Sequence, residues 1–267
     1  MCAICGCSGD GQTRIVVPGE AVHDHDHDHD HPHAHGHDHA HSHEHATGPA
    51  RIEVLESRLL EKNDRLAEHN RAWFGGREVL ALNLMSSPGA GKTTLLVKTL
   101  RELGLPASVV EGDQESTLDA ERIRATGAPV VQINTGTGCH LEAQMVRDGV
   151  DRLKPAFGSV LFTENVGNLV CPSLFDLGEH ARVVLFSVAE GADKPTKYPH
   201  MFRRADLVLL TKIDLAPYVD FDEAEAMAAI RAVQPKAPIL RLSTRSGEGV
   251  PAWYDWLRAR FRAVHAS

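Results

Sequence analysis

The chain has 267 residues, 42% of them apolar, so a core of globular size is available. Its 28 basic and 36 acidic residues give a formal charge of −8. Residues 1–49 hold eight of those acids (Asp10, Glu20, Asp24, Asp26, Asp28, Asp30, Asp38 and Glu44) against Arg14 alone, and the 27 bases and 28 acids that remain nearly cancel. The body lacks the positive field that duplex phosphate needs, and no apolar stretch approaches the roughly 18 residues of a membrane span or opens the chain as a signal peptide, so neither nucleic acid nor a membrane is an expected partner and a cytoplasmic location is expected.

Two metal-competent patterns lie in the first 49 residues. Cys2-Ala3-Ile4-Cys5-Gly6-Cys7 presents three thiols within six residues, and Gly6 lets the backbone turn tightly around one ion. Thiolates suit Zn²⁺, Cu⁺ and, in square-planar geometry, Ni²⁺; a redox pair or an iron-sulfur fragment is the alternative. With Met1 removed, the free amine of Cys2 would complete an S₃N set. Twelve of the seventeen histidines then occupy every odd position: His23, His25, His27, His29, His31, His33, His35, His37, His39, His41, His43 and His45. Such a run is a stack of weak imidazole sites able to hold several Ni²⁺, Zn²⁺ or Cu²⁺ ions without choosing among them. Its alternation with Asp, Ala, Gly, Ser and Glu is unlike an affinity tag. Nothing apolar in this composition offsets the entropy of ordering it, so residues 1–49 are expected to be disordered without metal.

From Arg51, Ile52, Leu55, Leu59 and Leu66 recur at helical spacing until Gly75-Gly76, which predicts one helix over residues 50–76, packed on the domain C-terminal to it or on a partner. The domain expected over residues 77–267 alternates apolar runs with helical segments. Val79–Met85, Ala107–Val110, Val130–Ile133, Val160–Phe162, Val183–Val188, Leu207–Leu210 and Ile239–Leu242 read as strands. Mostly apolar strands separated by helices predict an α/β fold, a mostly parallel sheet covered by helices on both faces, with ligands at the carboxyl ends of the strands.

The loop after the first of these strands is Ser86-Ser87-Pro88-Gly89-Ala90-Gly91-Lys92-Thr93-Thr94, a P-loop in strand-loop-helix context with Ser86 where the pattern has its first glycine. Gly89, Ala90 and Gly91 present backbone amides to phosphate, Lys92 neutralises the β and γ phosphates, and Thr93, followed by Thr94, offers its hydroxyl to Mg²⁺. Phosphoryl transfer also needs carboxylates at neighbouring strand ends. Asp113 is a candidate outer-sphere metal contact or water-orienting group, and Glu164 a candidate partner on the metal side; ordinary helix-capping carboxylates are the alternative for both.

Further on, Gly138-Cys139-His140 joins a strand to a helix, and Cys171 comes after the Glu164 loop. Adjacent Cys and His chelate one ion poorly by themselves, so a third thiol from a neighbouring loop, or the same set from a second subunit, would complete a site; a buried thiol and a satisfied histidine are the alternative. Finally Thr211-Lys212-Ile213-Asp214 looks like the guanine motif Asn-Lys-x-Asp with threonine in the asparagine place. Asp214 can accept from the ring NH and exocyclic amine of guanine, the stem of Lys212 would lie over the base, and Ser243 and Thr244 end the next strand where a backbone amide meets the guanine oxygen.

Together these segments resemble the hydrogenase nickel-incorporation GTPases over nearly the whole chain. The matching stretches are the cysteine opening, the His-rich run, Asn63-Asp64, Ser86–Thr94, Glu111-Gly112-Asp113, residues 134–141, residues 164–172, residues 193–199 and Thr211–Asp214. Ser86 is the serine this family tends to use, whereas Thr211 departs from the asparagine. The resemblance implies a P-loop GTPase that converts GTP to GDP and phosphate, dimerises in a nucleotide- or metal-dependent way and delivers Ni²⁺ to the large subunit of [NiFe]-hydrogenase with a HypA-type nickel chaperone. It further implies a high-affinity nickel site at Cys2, Cys5 and Cys7 and a second metal site at Cys139, His140 and Cys171. A nickel or zinc store, or a GTPase metallochaperone for another nickel enzyme such as urease, are the competing readings.

Overall fold

The computed structural model describes residues 14–17, 49–114 and 116–266, with side chains from residue 57 onward in the first long helix. Cys2, Cys5, Cys7 and the histidines from His23 to His45 lie outside the described residues.

Eight strands form one sheet: β1 (Arg14–Val16), β2 (Leu80–Met85), β3 (Ala107–Asp113), β4 (Val130–Asn134), β5 (Val160–Glu164), β6 (Ala181–Ser187), β7 (Leu207–Thr211) and β8 (Ile239–Arg241). Their spatial order is β1-β4-β3-β5-β2-β6-β7-β8. Every pairing is parallel except that of β1 with β4. The seven sequence-predicted strands are all present, several running one to three residues further toward the loops that carry the polar motifs. β1 was not expected. A tripeptide inside a segment read as wholly without fold pairs antiparallel with β4, matching Arg14 to Asn134 and Val16 to Gln132. Ile15-Val16 is a short apolar, β-branched pair, and pairing it covers the unpaired groups that β4 would otherwise leave at the sheet edge.

The sheet is buried on both faces because successive residues of each strand point to opposite sides. Leu80, Leu82 and Leu84 of β2 pack with Leu95 and Leu96 of α2 (Lys92–Glu102), Ile123 of α3 (Leu118–Arg124), and Trp253 and Leu257 of the C-terminal helix Val250–His265. On the opposite face, Ala81 packs with Phe74 of α1 (Pro49–Gly76) and with Val146 and Val150 of α4 (Ala143–Leu153). Beyond them Met85, Phe186 and Leu210 pack with Met201, Phe202 and Ile230.

α1 ends at Gly76 as its pattern predicts, but its packing face differs. Leu59 is 62% exposed, while Asn63, Ala67, Asn70 and Phe74 are buried at four-, three- and four-residue spacing. The two asparagines replace an apolar stripe because they meet backbone. Asn63 Oδ1 accepts from the Ala143 amide at 2.9 Å, and its Nδ2 donates to the Asp176 carbonyl at 2.7 Å. Asn70 Nδ2 donates to the Ala143 and Leu177 carbonyls. A buried amide with partners of this kind fixes the helix position more specifically than a leucine does.

Candidate nucleotide and metal sites

The carboxyl ends of β2, β3 and β5 open into a cavity of about 430 Å³ lined by Gly89, Lys92, Thr93, Asp113, Asp119, Glu164 and Lys212, among others. The P-loop residues meet there because β2 ends at Met85 and α2 starts at Lys92. Gly91, at φ 101°, makes the left-handed turn between them that an L side chain would strain. Ser86, fully buried, accepts from Lys92 Nζ at 2.9 Å and donates to the Ser87 carbonyl at 2.6 Å. The residue that departs from the general P-loop pattern therefore holds the lysine ammonium.

Burial holds Lys92 below the usual lysine range, against the pull of Glu164, Asp119, Glu111 and Glu190. Thr93 Oγ1 lies 2.7 Å from Glu164 Oε1 and 2.8 Å from Asp119 Oδ2. Burial pushes the Glu164 carboxyl up to about 7, although Lys92 and the Thr93 hydroxyl favour its charged form. Glu111, opposite Glu164 in the β3–β5 register, is pushed up to about 9 by burial and then by Glu164, Asp113 and Asp119. Both glutamates keep one buried carboxylate oxygen without a hydrogen-bond partner. A hydroxyl, two carboxylates on it and a buried oxygen in need of a partner are hard oxygen donors that fit Mg²⁺. Asp113 lines the same cavity, but its Oδ2 accepts from the Ser116 amide at 2.9 Å, and the carboxylate that reaches Thr93 beside Glu164 is Asp119. Asp119 lies in the first turn of α3, where no motif marks it. Its Oδ1 accepts from Arg122, whose other nitrogen reaches the Thr94 hydroxyl at 3.2 Å.

The loop expected to meet the base closes one side of this cavity. Thr211 Oγ1 donates to the Ala90 carbonyl at 2.8 Å, so the threonine in the asparagine place ties the end of β7 to the P-loop. Lys212, at φ 58°, sends Nζ to the Gly89 carbonyl at 2.7 Å. Asp214 comes next, within the short helical turn Ile213–Tyr218. The Leu242 amide donates to Leu210 O, bringing Ser243 and Thr244 beside this loop; the Ser243 amide itself is engaged by the Glu248 carbonyl.

The structure brings Cys139, His140 and Cys171 together from two loops. One ligand atom each of Cys139, His140 and Cys171 lies within 4.8 Å of the others, and all three residues are buried. Cys139 Sγ is 3.6 Å from His140 Nδ1, and the imidazole stacks on Phe175 at 3.9 Å between centroids. His140 Nε2 is buried without a hydrogen bond, with Glu142 Oε1 3.7 Å away.

The two sites share a side chain that the sequence pattern did not single out. Asn165, next to Glu164, is buried; its Oδ1 accepts from the Leu141 amide at 3.1 Å and the Val166 amide at 3.0 Å, while Nδ2 donates to Asn83. Thr93, Glu164, Asn165, Leu141 and His140 thus form one continuous path. Gly167, two residues further, stands so close to Pro88 that a Cβ would fall 3.0 Å from its Cα, which locks the same loop against the P-loop.

The chain is similar to known proteins over most of its length. Residues 80–241 match the family described as the CobW/HypB/UreG nucleotide-binding domain. The chain is 48% identical to hydrogenase maturation factor HypB of Azotobacter chroococcum mcd 1 over 100% of this chain and 97% of that one. It is 54% identical to the Escherichia coli (strain K12) HypB over 79% of this chain and 73% of that one. Among solved structures, HypB from Helicobacter pylori in complex with nickel is similar at TM-score 0.72 and 38% identity, over 76% of this chain and 96% of that one.

Proposed function

The chain belongs to the CobW/HypB/UreG family and, within it, to the hydrogenase maturation factors HypB, and from that premise we propose that it is a GTPase metallochaperone that binds Ni²⁺ and delivers it to the large subunit of [NiFe]-hydrogenase. The observation that carries this reading is the adjacency of two chemically different sites: a P-loop cavity of hard oxygen donors and a buried cluster of two thiols and an imidazole, joined through Asn165.

In this reading the amides around Gly89, Ala90 and Gly91, the α2 N-terminus and Lys92 cradle the β and γ phosphates of GTP. Thr93, Asp119 and Glu164 would hold Mg²⁺, with Thr94 held at the rim by Arg122. The bound ion supplies charge compensation on the phosphate oxygens. Asp113 faces the cavity from the end of β3 and orients the attacking water. Asp214 accepts two hydrogen bonds from guanine, whereas adenine would set acceptors against the carboxylate; Lys212 covers the base, and the Ser243-Thr244 loop meets the guanine oxygen.

Nickel is the cargo. Two sulfurs and one imidazole suit Ni²⁺ or Zn²⁺, and three protein ligands leave a position through which an ion can be exchanged, unlike a closed four-ligand structural site. Cys2, Cys5 and Cys7 form the tight nickel site, and the histidines from His23 to His45 a low-affinity reserve. Work in the cytoplasm as a nucleotide- or metal-dependent homodimer, beside a HypA-type chaperone, completes the reading. Among the described residues no helix is long and apolar enough to cross a membrane.

The test measures phosphate release from GTP and from ATP with Mg²⁺, and Ni²⁺ stoichiometry by calorimetry, on the full chain. GTP-selective turnover with at least two thiol-dependent nickel sites is expected. Turnover without nickel binding, or nickel binding with no GTPase activity, would sink the reading.

A further inference from the structure

Two asparagines of α1 that the nucleotide site does not use bridge the two segments that carry the metal ligands. Cys139 and His140 come just before α4, and Cys171 opens a short helical turn from which the chain runs through Phe175 to Gly178. Asn63 and Asn70 stand seven residues apart on one buried face of α1. The start of α4 lacks a cap of its own: Glu142 precedes it without a side-chain hydrogen bond to the helix. The Ala143 amide, one of the donors that a helix start leaves without a partner in its own helix, goes instead to Asn63 Oδ1 at 2.9 Å.

The other end of the same side chain reaches the Cys171 segment. Asn63 Nδ2 donates at 2.7 Å to the carbonyl of Asp176, the residue after Phe175, whose ring lies on the His140 imidazole. Asn70 repeats the bridge two turns on, its Nδ2 donating to the Ala143 carbonyl at 2.8 Å and to the Leu177 carbonyl at 3.0 Å. Gly178 lies so tightly on the helix that a Cβ there would fall 2.5 Å from the Ala67 carbonyl oxygen. From the rim, Arg71 donates to both carboxylate oxygens of Asp176. Because the oxygen and nitrogen of Asn63 belong to one rigid planar amide, moving either segment away from the other breaks a hydrogen bond that water cannot replace at a buried position.

We infer that Asn63, seconded by Asn70, is a positioning residue for the cluster of Cys139, His140 and Cys171: it sets the separation of the two ligand segments, and with it the affinity and geometry at which a metal ion is held. This rests on the reading above that the cluster binds nickel. Neither asparagine is a ligand. Asn63 acts through backbone three residues beyond His140 and five beyond Cys171, in the manner of the outer partners that orient ligand side chains in metal sites. The first long helix is then part of the metal site as well as of the packing.

The test uses full-length chains in which Cys2, Cys5 and Cys7 are alanine, so that Cys139 and Cys171 are the only thiols and thiolate-to-nickel absorption reports this cluster alone. Ni²⁺ is titrated into each chain against a competing chelator. Asn63→Ala should weaken nickel binding about 10- to 100-fold and shift the absorption band, while GTP hydrolysis without nickel stays at its starting value. Asn63→Asp keeps size and the acceptor for the Ala143 amide but sets an oxygen against the Asp176 carbonyl. It should weaken nickel as well, and it carries the test if the alanine variant does not fold. Leu257→Ala, in the core on the other face of the sheet, should lower the melting temperature at least as much and leave nickel affinity and absorption unchanged. Unchanged affinity and absorption in the folded Asn63 variants would overturn the inference and leave the proposed function standing. An equal loss of affinity in Leu257→Ala would overturn it too, by tracing the effect to general destabilisation. Absence of thiolate-to-nickel absorption in the starting chain would overturn the proposed function together with the inference, and is visible before any Asn63 variant is compared.

Discussion

The P-loop cavity and the thiol-imidazole cluster sit on neighbouring loops, yet they are built on opposite principles. The cavity is charged and largely local in sequence: nine consecutive residues, Ser86 to Thr94, supply its floor, and carboxylates from β3, α3 and β5 crowd around a single buried ammonium. The cluster holds two thiols and an imidazole, takes one member from a loop 31 to 32 residues away from the other two, and its imidazole stacks on an aromatic ring. A hard-donor cavity with buried oxygens lacking partners suits magnesium and phosphate, whereas a cluster of soft ligands suits a late transition ion. Asn165 is where the two meet, and substitutions there or on either side should separate them.

The largest effect is expected at Lys92. Lys92→Ala removes the cation that faces four carboxylates and would meet the phosphates, and should lower GTP turnover by about 10²–10³-fold while leaving nickel affinity at Cys139, His140 and Cys171 unchanged. Phosphate-release kinetics and nickel calorimetry on the same variant check both halves; a joint loss would show that the sites are not separable. Asp214→Asn exchanges a two-acceptor carboxylate for an amide with one mismatched donor, at a cost of roughly 2–4 kcal/mol in GTP affinity. Unchanged GTP affinity would remove Asp214 from the base site.

Asn165→Ala should act on the link itself. In chains whose Cys2, Cys5 and Cys7 are replaced by alanine, nickel affinity at the internal cluster should differ between the GDP and GTP-analogue states by about 5- to 100-fold, and nickel must change nucleotide affinity by the same factor. Removing the Asn165 side chain leaves the Leu141 and Val166 amides without their acceptor and should bring that ratio close to one. A ratio that survives would assign the coupling to another route.

The smallest effect concerns Glu111, whose carboxyl is pushed up to about 9. A carboxylic acid that is protonated when folded and ionised when unfolded loses stability as pH rises between its unfolded value near 4.5 and its folded value near 9. Glu111→Gln removes that penalty. The nucleotide-free protein should melt a few degrees higher at pH 8, with the gain shrinking toward pH 5. A constant difference across that range would mean that the proton on Glu111 is not what destabilises the fold.

How much of this is legible in sequence depends on how local each feature is. The P-loop, Thr211 to Asp214 and the seven parallel strands carry their own periodicity and spacing, and each appears where its pattern places it. The α1 face departs from its pattern because Leu59 and its neighbours look like a packing stripe, whereas Asn63 and Asn70 pack through hydrogen bonds to the Ala143 backbone, which a hydrophobic pattern does not register. Asp119 escapes notice because nothing about a carboxylate in the first turn of a helix distinguishes a metal-facing residue from an ordinary dipole partner. Asn165 stands inside a recognised segment, but its neighbour Glu164 draws the chemical argument. β1 is invisible because three residues in an acidic, histidine-rich leader offer too few apolar side chains to signal a strand without a partner.

The amino-acid sequence by itself determined the parallel α/β architecture, the phosphate loop and the inventory of soft ligands, because these depend on residues within one strand-loop-helix unit or on side-chain type alone. Only the tertiary structure decided which carboxylate joins Glu164 at Thr93, that Cys171 meets Cys139 and His140, that Thr211 clasps the P-loop and that β1 pairs with β4. Those are pairings across 26 to 121 residues of chain, set by strand order and register, and no local pattern encodes the order in which parallel strands assemble.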